Sequence, residues 1–363
     1  MIYDFFQVNT IHLEITDKCN ARCPMCARNE NGGKTNHYLS GAELNLSNVK
    51  SFLPKELISR LSNLIMCGNY GDPAAASETL EIFEWVRSLN PNVHLSINTN
   101  GSLKSELWWS KLAKIFAGQG HVTFGIDGLV DTNKLYRQNV DYTTVIRNAK
   151  SFISAGGRAR WEFIVFKHNE HQVDEAKLLS SSLGFENFQI KKTGRFFSNT
   201  RLAATGQRPV LNLDSTVSHY ISPPSNPEFQ NRSLQKETSI KAEFGSMEAY
   251  LNHTKIKCKV SSSEQKSLYI SSEGLVFPCC WLGNQIHLWY LPKFGAEIWT
   301  IIKRIGGVEK ISLFENDMQD ILTGDFFDEI ENSWSCNSVR CGKLTTCSKT
   351  CGEVFDQYTE QYN

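Results

Sequence analysis

Two rhythms of apolar and polar positions run along the chain. In the first 193 residues, short aliphatic and β-branched runs alternate with longer stretches whose apolar residues recur every third or fourth position. The short runs predict strands at 11–16, 64–68, 94–98, 122–127, 160–166 and 188–192. The longer stretches predict amphipathic helices, among them 77–89, 143–155 and 172–183. Strand–helix alternation builds parallel β/α units. Six such units suit an open doubly wound sheet or a partial barrel equally well. From residue 194 to about 239 the texture turns to Arg, Asn, Ser, Pro and Gln, which reads as a long connection out of the repeat. Beyond it, 268–271 and 275–277 flank Gly274 and predict a hairpin that delivers Cys279 at its end.

A length of 363 residues allows a large core and two domains. Lys plus Arg number 38 and Asp plus Glu number 38, so no global field draws in nucleic acid or anionic lipid. No run of 18 apolar residues predicts a membrane span. The N-terminus lacks the basic start and apolar core of a signal peptide, so a cytoplasmic setting is expected. There, eleven cysteines read as metal ligands or core residues rather than disulfides. Three fall by residue 26, seven fall between Cys258 and Cys351, and Cys67 stands alone after Leu-Ile-Met, as a packed core thiol would. Two thiol groups predict two metal sites.

The first group, Cys19-x3-Cys23-x2-Cys26, directly follows the first predicted strand. An iron–sulfur cube takes four thiolates. Three from one loop would leave an iron open to bind and activate a substrate, whereas a closed set would merely brace the fold. Zinc is the alternative, with His12 and His37 as nearby donors. The spacing, with Met25 before the third Cys, resembles the radical S-adenosylmethionine (SAM) enzymes. That resemblance implies a partial (β/α)6 TIM-like barrel with its chemistry at the C-terminal strand ends. It implies a 4Fe–4S cluster on Cys19, Cys23 and Cys26, SAM chelated by the free iron, and reductive cleavage to a 5′-deoxyadenosyl radical that takes a hydrogen atom from substrate. Cys67-Gly-Asn-Tyr-Gly71-Asp72-Pro73 is similar to the family's Gly-Glu-Pro motif, with Asp for Glu, and implies that Gly71, Asp72 and Pro73 hold the SAM amino group. By the same resemblance Asn98, Thr99 and Asn100 meet the ribose, and Arg137 pairs with the SAM carboxylate.

The C-terminal third holds Cys258, then Gly274-x4-Cys279-Cys280, then Cys336-x4-Cys341-x5-Cys347-x3-Cys351. This resembles the SPASM/twitch extension of the same enzymes, with C-x4-C where the full pattern has C-x2-C and without its last cysteine. Seven thiols fall short of the eight that two closed cubes need, so one or two auxiliary Fe–S clusters are implied, with Cys280 a candidate for the missing ligand. Relatives that mature sulfatases carry an Asp that serves as general base where this chain has Cys280, which disfavours that activity. The resemblance divides the chain into a barrel at 1–193, a connection at 194–255 and an iron–sulfur domain at 256–363. It implies a peptide or a sugar-like or other small metabolite as substrate, and flavodoxin or ferredoxin as low-potential electron donor, with no nucleic acid or membrane partner. The rival reading is a zinc-stabilised adaptor with structural cysteine clusters.

Overall fold

The computed structural model describes residues 4–196, 206–262, 264, 266–288, 295–353 and 361–362. Six strands follow the predicted alternation: β1 (Val8–Leu13), β2 (Asn63–Met66), β3 (His94–Thr99), β4 (Gly120–Gly125), β5 (Ala159–Ile164) and β6 (Asn187–Lys191). All are parallel, in sequential order. A ribbon of β7 (Arg208–Leu211) and β8 (Val217–Ile221) occupies part of the stretch expected to be an irregular connection. The predicted hairpin forms as β9 (Lys266–Ile270) and β10 (Val276–Phe277), turning at Gly274 with φ +73°. β9 pairs parallel with β1 and extends the sheet to eight strands, ordered β10-β9-β1-β2-β3-β4-β5-β6. The end strands do not pair, so the α/β barrel is partial.

Side chains alternate across each strand. One face carries Leu64, Met66, Leu95, Ile97, Val122, Phe124, Trp161 and Phe163, all fully buried. Helices cover this face with residues at helical spacing: Ile82, Phe83 and Val86 from Thr79–Leu89, Trp109, Leu112 and Phe116 from Glu106–Phe116, and Val145, Ala149 and Phe152 from Tyr142–Ser154. The other face, inside the barrel, is polar: His12, Cys67, Asn98, His121, Arg160, Glu162 and Lys191 line it. Cys67 therefore lies half-buried in the interior, outside the apolar core expected for it, and its Sγ accepts from Asn98 Nδ2 at 3.6 Å. Among the described residues no helix is long and apolar enough to cross a membrane.

Toward the strand starts, the interior holds a directional chain of hydrogen bonds. Arg160 Nη1 lies 3.3 Å from His121 Nε2, and a guanidinium only donates. His121 Nε2 thus accepts, which puts its proton on Nδ1 and aims it at His94 Nε2, 2.8 Å away. Burial, then the Arg160 charge, pulls His121 down to about 4. His168 stacks on Phe166 with ring centroids 5.3 Å apart and is pulled down to about 4 by burial as well. An unfolded histidine titrates near 6.5, so below that pH the unfolded chain binds more protons. The stability that these two neutral histidines contribute is fully present above about pH 6.5 and is lost as pH falls toward 4. Denaturant midpoints should be lower at pH 5 than at pH 7.5, and His121→Asn should remove part of that difference; an unaltered difference would contradict the neutral histidine.

Candidate metal and cofactor site

The loop after β1 is built to hold three sulfurs. Cys23 is buried, and Cys19 and Cys26 are half-buried. Cys26 N donates to the Cys23 carbonyl at 3.0 Å, which curls the loop. N–H groups point at the sulfurs: Ala21 N lies 3.3 Å from Cys19 Sγ, Asn100 Nδ2 lies 3.7 Å from the same atom, and Arg137 Nη1 lies 3.9 Å from Cys23 Sγ. Burial pushes Cys23 up to about 11 against the pull of Arg137, and Cys19 is raised by burial, by Asp72 and by the other two thiols. Metal ligation replaces such protons, and the surrounding donors suit bound thiolate. Among the described residues no three His, Cys, Asp or Glu groups converge on a single ion.

The Gly-Asp-Pro turn is wedged against this loop. Asp72 N donates to the Lys18 carbonyl at 2.9 Å. A Cβ on Gly71 would lie 1.8 Å from the Thr16 carbonyl oxygen, and one on Gly68 would lie 2.1 Å from that of Gly71. Only glycine permits this approach. The Asp72 carboxylate accepts from Ala74 N at 2.9 Å, Asn100 N at 2.8 Å and Thr99 Oγ1 at 2.9 and 3.1 Å. Its lone pairs are therefore engaged within the protein, and Asp72 ties the turn to the end of β3. Glu14, which sequence reasoning missed, does the same from the position directly after β1. It is 1% exposed, and its Oε1 accepts from Tyr70 N at 2.7 Å and Gly71 N at 3.0 Å, while Oε2 accepts from Tyr269 on β9. The signal for it is a lone carboxylate in the apolar run Ile11-His-Leu-Glu-Ile.

Across the loop, Arg137 Nε donates to Asp127 Oδ2 at 2.6 Å, with the Asp127 side chain fully buried. Burial would lower Arg137, but Asp127 and Cys23 outweigh it and keep the guanidinium charged. Gly125 makes room: a Cβ there would meet Arg137 Nη2 at 2.3 Å. The structure thus brings Gly71, Asp72, Thr99, Asn100 and Arg137 around the three thiols, while Asn98 faces the interior beside Cys67.

The second thiol group divides. Cys258, Cys279, Cys347 and Cys351 line one cavity of about 40 Å³, several times what one water needs. Cys280, Cys336 and Cys341 do not line it. Cys280 lies at the barrel interior, where burial and then the neighbouring Cys67 push it up to about 12. Cys341 is exposed. The Gly71 turn is tied to the segment that follows Cys279: Asn69 Nδ2 donates to the Cys280 carbonyl at 2.9 Å, and the Tyr70 hydroxyl donates to that of Asn284.

Residues 13–179 match the family model described as Radical SAM superfamily. No curated protein matches. The fold is similar to that of SuiB from Streptococcus suis bound to its precursor peptide SuiA, at 13% identity over 94% of this chain and 76% of that one, TM-score 0.53. It is similar to anSMEcpe with bound AdoMet, at 16% identity over 96% of this chain and 89% of that one, TM-score 0.53. It also matches anSMEcpe with AdoMet and the Kp18Cys peptide, at 15% identity over 96% and 93%, TM-score 0.51.

Proposed function

Residues 13–179 place this chain in the radical SAM superfamily as an enzyme, and from that premise we propose that it abstracts a hydrogen atom from a peptide. Members of the superfamily use a 4Fe–4S cluster and SAM; when bound, they supply a 5′-deoxyadenosyl radical by reductive cleavage. Cys19, Cys23 and Cys26 hold that cluster. The observation that carries this reading is their loop, clamped between the Gly71 turn and Arg137. The backbone of the Gly71 turn holds the SAM amino group, with Asp72 bracing it through Thr99 and Asn100. Arg137, with Nε committed to Asp127, offers its remaining N–H groups to the SAM carboxylate. Asn98 serves the ribose.

One auxiliary 4Fe–4S cluster sits on Cys258, Cys279, Cys347 and Cys351, the four thiols of one cavity. Cys280, Cys336 and Cys341 lie outside its ligand set. A peptide substrate is supported by the bound peptides of SuiB and anSMEcpe, and a low-potential donor such as flavodoxin or ferredoxin completes the cycle. Protein purified without oxygen should carry about eight irons per chain and Cys258→Ser about four. With SAM and dithionite it should release 5′-deoxyadenosine, and a peptide substrate should raise that rate where a sugar-like metabolite does not. Bound zinc with no 5′-deoxyadenosine would overturn the reading.

A further inference from the structure

The wall of the four-thiol cavity carries one polar group that the ligand set leaves unexplained. Trp334 lines the cavity beside Cys347. Its Nε1 is buried, and no oxygen or nitrogen accepts from it. A buried indole N–H without a partner is costly, and indole can only donate. The acceptor within its reach is the Cys347 sulfur, and Ile330, Leu282, Val260 and Ile256 supply the apolar part of the cavity wall. A sulfur that ligates iron is a better acceptor than a neutral thiol, because it carries negative charge.

We propose that Trp334 Nε1–H donates to the Cys347 sulfur and sets the reduction potential of the auxiliary cluster. The inference rests on the four-thiolate cluster proposed above. Adding an electron adds negative charge to the sulfurs, so an N–H aimed at one of them favours the reduced state and raises the potential. Trp334 is a tuning residue, since it acts through Cys347. A cluster held at higher potential is the better acceptor for the electron left on a substrate radical, which then loses its proton to solvent while the cluster gains the electron.

The test uses the full chain with Cys19, Cys23 and Cys26 all changed to alanine, so that the auxiliary cluster is the only one. About four irons per chain are expected; none would overturn the cluster and its tuning together. In protein grown with indole-15N tryptophan, pulsed EPR of the reduced cluster should show a 15N coupling. Trp334→Phe removes the N–H and keeps a ring. That variant should retain its iron, lose the coupling, and show about a tenfold lower ratio of reduced to oxidised cluster at a fixed poise, equivalent to about 59 mV for one electron. Four irons with no 15N coupling would overturn the tuning alone, whether or not the Phe variant folds. So would a Phe variant whose potential is unmoved.

Discussion

Gly71→Ala should cut 5′-deoxyadenosine formation by more than about 100-fold in a protein that stays folded. The new Cβ would stand 1.8 Å from the Thr16 oxygen and 3.0 Å from the Asp17 Cα. Relief requires the turn or the cysteine loop to retreat by about 1 Å, and displacements of that size at a reacting centre cost on this scale. Both partners of the clash belong to the site: one carries the proposed SAM contacts, and the other leads into Cys19. The clash involves only Thr16 and Asp17 and leaves the helix-covered face of the sheet alone, so far-UV circular dichroism should be unchanged. Iron content separates two routes to the loss. Retained iron means that SAM is misplaced, and lost iron means that the loop has moved. Near-normal cleavage by the variant would show that the turn does not position SAM.

Glu14→Ala should destabilise the protein by roughly 3–5 kcal/mol. It strips the acceptor from Tyr70 N, Gly71 N and the Tyr269 hydroxyl, all in the interior. Each orphaned group costs about 1–3 kcal/mol, with some recovered by relaxation. Glu14→Gln should cost far less. Its carbonyl can take both amides, and its NH2 can donate to the Tyr269 oxygen once that hydroxyl turns. Burial already raises the Glu14 pKa, so the neutral amide also escapes the cost of holding a charge there. Urea unfolding checks the order: alanine much weaker than wild type, glutamine close to it. Equal loss in both variants would mean that the charge matters more than the acceptor.

The barrel was legible because its strands keep apolar residues on the helix-covered face, as at Leu95 and Ile97, or Trp161 and Phe163. The cysteine spacing and the Gly-Asp-Pro turn were legible because their chemistry is local in sequence. What escaped depends on contacts between distant segments. Glu14 acquires its role from a turn 56 residues away and a tyrosine 255 residues away. The sorting of seven C-terminal thiols into four around a cavity and three elsewhere needs the hairpin to bring Cys258 and Cys279 against Cys347 and Cys351. Cys67 follows Leu-Ile-Met in an apolar run, but strand alternation turns it inward to Asn98. The β7–β8 ribbon was hidden by a polar composition that it shares with irregular chain.

The most direct measurement is ENDOR spectroscopy on the reduced Cys258→Ser protein, which isolates the N-terminal cluster, with SAM labelled by 15N at the amino group and 17O at the carboxylate. Hyperfine coupling of both labels to the cluster is the result predicted for an iron held by only three protein sulfurs. A cluster signal that labelled SAM leaves unchanged would mean that a side chain already fills the fourth position, and the proposed chemistry could not begin.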